Sequence, residues 1–190
     1  MKLTRRSTLT ALGATTLAAS LGLPAVAAEA EVIDTRVNLA LGRLWKETPN
    51  ARDIANKAKG MLVMPKVVKG GLIVGGAYGE GALKINDPAV GYERHGGYYS
   101  VAAASVGLQI GVQKTSHVLF FMTDKALADF QRADGWEAGA DAEVTFPDKG
   151  LHAGVDTTTL EKPVIGIVFG EDGLLIGASL EGAKYSKINR

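Results

Sequence analysis

The stretch Lys69–Lys84, KGGLIVGGAYGEGALK, carries six glycines in sixteen residues, and its reading decides the fold. A glycine-rich turn before a helix would be an anion cradle. The dinucleotide pattern G-x-G-x-x-G has no frame here: Gly79-Glu80-Gly81 supplies the first pair, and the third glycine would fall on Lys84. The P-loop pattern fails as well, because Gly76 and Gly81 have the right spacing but Ala82 and Leu83 follow in place of Lys and Ser/Thr. What remains is an apolar run interrupted by glycine and bounded by Lys and by Asn86-Asp87-Pro88. That is the pattern of a strand in which glycine marks a bend, a bulge or the close approach of another backbone.

The glycines recur in a pattern. G-L-x-x-G occurs at Gly71–Gly75, Gly107–Gly111, Gly150–Gly154 and Gly173–Gly177, where chance placement predicts about 0.3 occurrences. The spacings are too uneven for a solenoid, so the expectation is one strand type reused in a curved sheet, with Gly71, Gly75, Gly107, Gly111, Gly173 and Gly177 as structural glycines at its bends.

Before this region the period is helical. Ile33, Val37, Leu41 and Trp45 stand at four-residue steps, with Ala40 and Leu44 filling the same face, and predict an amphipathic helix over 32–46. Thr48-Pro49 offers a cap and a first-turn proline for a second, short helix that Gly60 ends. Strands are expected over Met61–Val68, Leu72–Ala77, Gly81–Ile85, Tyr98–Ala104, Val106–Val112 and His117–Met122. Thr123-Asp124 caps a helix to about Arg132 with Ala126, Leu127 and Phe130 inward. A hairpin joins Val164–Phe169 to Leu174–Leu180. The fold class is therefore α+β: a strongly curved, glycine-rich antiparallel sheet or partly closed barrel, with N-terminal helices and one helix after the middle strands.

Residues 1–27 read as an export signal. Lys2, Arg5 and Arg6 precede the acid-free, weakly apolar segment Leu9–Leu23, and Ala25-Val26-Ala27 is a small-x-small cleavage site that places the mature start at Ala28, with Ala30 as the alternative. Thr4–Leu9 resembles a twin-arginine signal in its arginine pair and in Leu9, and the chain departs from that pattern at Thr8 and Thr10. The apolar segment is short for a span of roughly 20 residues. Residues 28–190 are then a single domain, exported to the periplasm and soluble or peripherally attached to a membrane. Loss of the three leader cations leaves 18 Lys and Arg against 20 Asp and Glu, a net −2 that argues against nucleic acid as a partner. The chain has no cysteine, so disulfides, thiolate metal sites and cysteine nucleophiles are excluded.

Several motifs carry a family resemblance: Ala58–Pro65 (AKGMLVMP), Lys69-Gly70-Gly71, Gly75–Gly81 (GGAYGEG), Ser105–Gly111 (SVGLQIG) and Gly173–Gly182 (GLLIGASLEG). Together they resemble the SYLF-domain family over roughly 36–186. The resemblance implies a lipid-binding domain that in eukaryotes is associated with actin patches and phosphoinositide membranes. Here the chain lacks an attached SH3 or FYVE module and carries an export signal, so actin binding is not implied for it.

Enzymatic chemistry is not expected. His95, His117 and His152 are far apart in sequence and fit no metal spacing, no G-x-S-x-G elbow occurs, and neither a catalytic nor a metal site nor a cofactor is read from the chain. One charge feature stands out. No acidic residue lies between Asp53 and Glu80, while Lys57, Lys59, Lys66 and Lys69 all do. These four lysines, with Trp45 as an apolar anchor, are the candidate lipid-binding residues. At about 1 kcal/mol each, four lysines supply only millimolar affinity, so an apolar contribution from Trp45 or from Met61–Met64 is required. The expected partner is an anionic lipid or membrane surface. The alternatives are a structural or protein-interaction module of the cell envelope, using a sheet edge or the face of Tyr98 and Tyr99, and a small-molecule carrier if the sheet encloses a cavity.

Overall fold

The computed structural model describes residues 30–71, 74–87, 92–106, 112–147, 157–170, 173–175 and 179–190. The expected export signal, Gly107, Gly111, the 150–154 repeat and Gly177 lie outside the described residues.

The four-residue apolar spacing forms α1 (Ala30–Glu47), which buries Ile33, Val37, Ala40, Leu41 and Leu44. The second helix, α2 (Ala51–Lys57), starts later than the Thr48-Pro49 signal suggested. Pro49 lies in the preceding turn, its carbonyl accepting from Arg52 N at 3.0 Å, and Asn50 occupies the cap position without a side-chain cap bond.

The glycine-rich run is a hairpin. β1 (Gly60–Gly71) pairs antiparallel with β2 (Val74–Asp87), so the two short strands expected over 72–85 are one long strand. β3 (Tyr92–Val106) follows, then β4 (Val112–Phe121), the helix α3 (Asp124–Arg132) and the two-residue β5 (Trp136–Glu137). A short helix α4 (Thr157–Leu160) precedes β6 (Val164–Gly170), which turns tightly into β7 (Gly173–Leu174), and β8 (Lys184–Ile188) closes the chain. The strands form one antiparallel eight-stranded sheet in the order β5-β8-β3-β2-β1-β4-β6-β7. It is an open sheet with β5 and β7 at its edges, so the barrel alternative does not form.

Both faces of the sheet are covered, which is why Met61–Pro65 of β1 reads as an unbroken apolar run. Met61 and Val63 join Val118, Phe120, Ile165, Ile167 and Phe169 beneath α1 and α2. Leu62 and Met64 face the other way, with Leu83, Tyr99, Leu119 and Phe121, and pack under Leu127 and Phe130 of α3 and under Trp136. Thr123 caps α3, its Oγ1 accepting from Ala126 N at 3.1 Å. β8 and β5 were not legible in the sequence, yet Tyr185 of β8 is buried against Trp136 with ring centroids 5.9 Å apart.

Pro65 stands inside the central strand, where it offers no N–H to a ladder. The chain accommodates it with a bulge: the register of β1 slips by one residue against both neighbours, between Val63 and Lys66 on one side and between Met64 and Val67 on the other. The buried Ser116 hydroxyl donates to the Pro65 carbonyl at 2.8 Å. Gly81 faces the extra residues, and a Cβ there would meet the Val63 carbonyl oxygen and lie 2.7 Å from Met64 Sδ. A Cβ on Gly79 would lie 2.5 Å from the Lys66 carbonyl oxygen. A second slip falls at Gly96 in β3, where a Cβ would be 2.7 Å from Leu83. Gly81, Gly79 and Gly96 thus stand at or beside bulges where a Cβ has no room, and Gly166 in β6 is held as closely, with a Cβ 2.7 Å from Val144. Gly71 and Gly75 pair with each other near the hairpin end. Gly173 serves the β6–β7 turn, with φ +107°.

Candidate functional site

α1 crosses the sheet from β3 towards β6. At its N-terminal half Asp34 accepts a hydrogen bond from the Tyr98 hydroxyl at 2.9 Å, and His95 Nε2 lies 3.7 Å from the same carboxylate. Burial, and then this bond to Asp34, raise the Tyr98 hydroxyl above its ordinary pKa. A histidine and a carboxylate are thus brought together, but the third partner is a phenol and no serine or other nucleophile takes part among the described contacts. The group is a fastening of α1 to β3. Further along, Arg43 Nη2 reaches Ser116 Oγ at 3.4 Å, and its guanidinium lies over the Phe169 ring at 5.9 Å.

Between these fastenings, on one flank of α1, a cavity of about 480 Å³ opens along the helix–sheet seam. Arg36, Leu39 and Arg43 line it from α1, Pro65 and Lys66 from β1, Lys114, Thr115 and Ser116 from β4, and Gly170 from β6. Residues at i, i+3 and i+7 share a helix face, which places Arg36, Leu39 and Arg43 in one row. Alternation along β4 sets Lys114 on the side of Ser116. Lys66 owes its place to the bulge. Leu62 and Met64 point to the α3 side, so unbroken alternation would carry residue 66 there too, and the extra residue at Pro65 turns it towards α1.

Four cations line this cavity and, among the described residues, no carboxylate does. Glu80 is the cross-strand neighbour of Lys66, but it lines the adjoining cavity of about 150 Å³ and is held by Arg190 at 2.7 Å and by the Tyr78 hydroxyl at 2.8 Å. Around the cations stand exposed apolar side chains. Leu39 is 66% exposed, Val112, on the same side of β4 as Lys114, 70%, and Tyr78 beside Arg36 and Lys66 46%.

The lysines singled out in the sequence do not converge. Only Lys66 enters the cavity. Lys59 stands just before the opposite end of β1, some seven residues or about 23 Å from Lys66 at strand rise, and Lys57 ends α2. Lys59 pairs with Asp124 at 3.5 Å, and Lys57 lines a small pocket with Asp53 and Asn56. Lys69 pairs across to Ala77, which packs on the α3 side, so it occupies the other face of the sheet. Trp45 is part-buried against the α1 core, with Arg52 5.3 Å above its ring, and Met61–Met64 are buried entirely. The exposed apolar side chains near Lys66 are instead Leu39, Val112 and Tyr78. Sequence reasoning missed Arg36, Arg43 and Lys114. The i, i+3, i+7 row Arg36–Leu39–Arg43 was the available signal, outside the lysine run that drew attention.

His117 is a different kind of group. It points into the α3-side core, bonded only to Thr115 Oγ1 at 2.9 Å, with Nδ1 unpartnered among the described residues. Burial pushes its pKa down to about 4.

The described residues thus form an open antiparallel sheet between helices, with a cationic seam along one flank of α1. Residues 102–189 match the family model described as "Ysc84: Las17-binding protein actin regulator". This is the SYLF family that the motifs resemble. Comparison with curated proteins gives no match. The match takes in Lys114, Ser116 and Gly170 of the cavity, while Arg36, Arg43 and Lys66 precede it.

Proposed function

We propose that the chain is a non-enzymatic, exported domain that associates peripherally with anionic lipid at an envelope membrane, through the face formed by α1, β1 and β4. The observation that carries this reading is the placement of four cations that form no ion pair with a described residue, Arg36, Arg43, Lys66 and Lys114, among the exposed apolar side chains Leu39, Val112 and Tyr78. Among the described residues no helix is long and apolar enough to cross a membrane, so the contact considered is with a surface. Four cations near an anionic bilayer contribute about 4 kcal/mol. Partial burial of three apolar side chains adds about 1 kcal/mol each, for a total near 7 kcal/mol and an affinity of roughly ten micromolar. Export rests on the leader-like residues 1–27.

The test is co-sedimentation with vesicles of neutral lipid alone and of neutral lipid with phosphatidylglycerol. Binding is expected only to the second, weakened by salt and by Lys66→Glu with Lys114→Glu. Lys57→Glu with Lys59→Glu should leave it unchanged. Equal recovery in the supernatant with both vesicle types refutes the reading.

The description of the matched family as Las17-binding favours a second reading, a protein partner. The surface foreseen for one is covered: Tyr99 is buried, Tyr98 is bonded to Asp34, and each sheet edge is a two-residue strand. An envelope protein would have to use the α1 face itself, and cross-linking in cells to a discrete adduct through that face would support it over lipid. The carrier reading loses its basis, because the sheet is open and both faces are packed with side chains.

A further inference from the structure

The cationic cavity lies on a seam. Arg36 and Arg43 belong to α1, whereas Lys66 and Lys114 belong to the sheet beneath it. The buried stripe of α1 holds the two parts together, and like charges line both sides of this flank. None of the four side chains forms an ion pair with a described residue, and Glu80, the neighbouring carboxylate, is engaged by Arg190 and Tyr78. The residues after Gly170 in the chain, Glu171 and Asp172, lie outside the described residues.

The seam is also furnished for hydrogen bonding. Arg43 is steadied by Ser116, whose own proton goes to Pro65, and the bulge at Pro65 turns Lys66 into the space. Two guanidinium forks and two ammonium groups offer more positive charge than a single carboxylate neutralises. They suit a phosphate-type oxyanion, which carries up to two negative charges and three acceptor oxygens. The cavity has room for the group that bears it.

We infer that Arg36, Arg43, Lys66 and Lys114 form a site for one phosphate-type oxyanion that bridges α1 to the sheet, so that occupancy of the site and docking of α1 stabilise each other. A lipid headgroup and a free phosphate share this chemistry. The inference uses the same face as the lipid reading, but it is a statement about the folded chain's own stability and can stand or fall separately.

Thermal unfolding of the full chain in inorganic phosphate and in sodium chloride at equal ionic strength tests it. Phosphate should raise Tm saturably, by about 3–6 °C at tenfold excess over its Kd. Lys66→Gln with Lys114→Gln should melt no lower than the wild type in chloride, since it relieves repulsion, and should lose the phosphate increment. Equal Tm in both salts, or an increment that survives the double substitution, overturns the inference.

Vesicles of phosphatidic acid, a phosphomonoester headgroup, separate the two sources. Release of the chain from them by inorganic phosphate assigns headgroup and free anion to the same site. A phosphate increment without vesicle binding keeps the site and removes the lipid reading. Vesicle binding with no phosphate increment removes the site and leaves the lipid reading in place.

Discussion

Replacing Gly81 by alanine should unfold the domain at a markedly lower temperature, although alanine is a single methyl group larger. The added Cβ would overlap the Val63 carbonyl oxygen and lie 2.8 Å from the Val63 carbonyl carbon and 2.7 Å from Met64 Sδ. Neither neighbour can retreat: Val63 is held in register with both β2 and β4, and Met64 is fully buried. Overpacking of this kind costs roughly 1–3 kcal/mol, only partly offset by the entropy that alanine removes from the unfolded chain. A net loss of about 2 kcal/mol lowers Tm by about 4–8 °C at this size. Gly76→Ala is the control within the same strand. Its Cβ would meet only the Ala103 carbonyl oxygen, at an ordinary 3.7 Å, so it should be neutral or should raise Tm by about 1–2 °C. Circular dichroism melts of the two variants measure the difference. Equal effects from both, or no change in Gly81→Ala, would refute the claim that glycine stands opposite the Pro65 bulge for want of space.

Three further outcomes are expected. His117 holds a pKa of about 4 in the fold against its ordinary 6.5, so the stability tied to its neutral form is complete above pH 6.5 and is lost as pH falls towards 4, by at most about 3 kcal/mol. His117→Leu should flatten the fall in Tm over that window, and an unchanged slope would count against it. The Tyr185 hydroxyl is buried without a hydrogen-bond partner among the described residues, and burial raises its pKa. Tyr185→Phe should therefore leave stability unchanged or add about 1 kcal/mol, read as a higher denaturant midpoint; a clear loss would reveal a bond to that hydroxyl. Thr123→Ala removes the cap on α3 and should cost about 1 kcal/mol, or about 2–4 °C in Tm.

Local pattern alone determined α1, α3, the strand character of the glycine-rich run and the exclusion of phosphate loops. Those features rest on period and on neighbours a few residues away: the apolar spacing of Ile33 to Leu44, the Thr123 cap, the missing third glycine at Lys84. Partnership across the sheet was not legible. β8 is five residues of mixed polarity, and only its pairing with β3 makes Tyr185 a core residue. The candidate site lay further from the sequence still. A charge run suggested Lys57, Lys59, Lys66 and Lys69 as neighbours because they are close along the chain. A strand, however, spreads such residues over tens of ångströms and onto both faces of a sheet, and the slip at Pro65 decides which of them faces α1. Arg36, Arg43 and Lys114 meet Lys66 only because α1 crosses β1 and β4, a juxtaposition fixed by burial of the adjacent stripe of the helix.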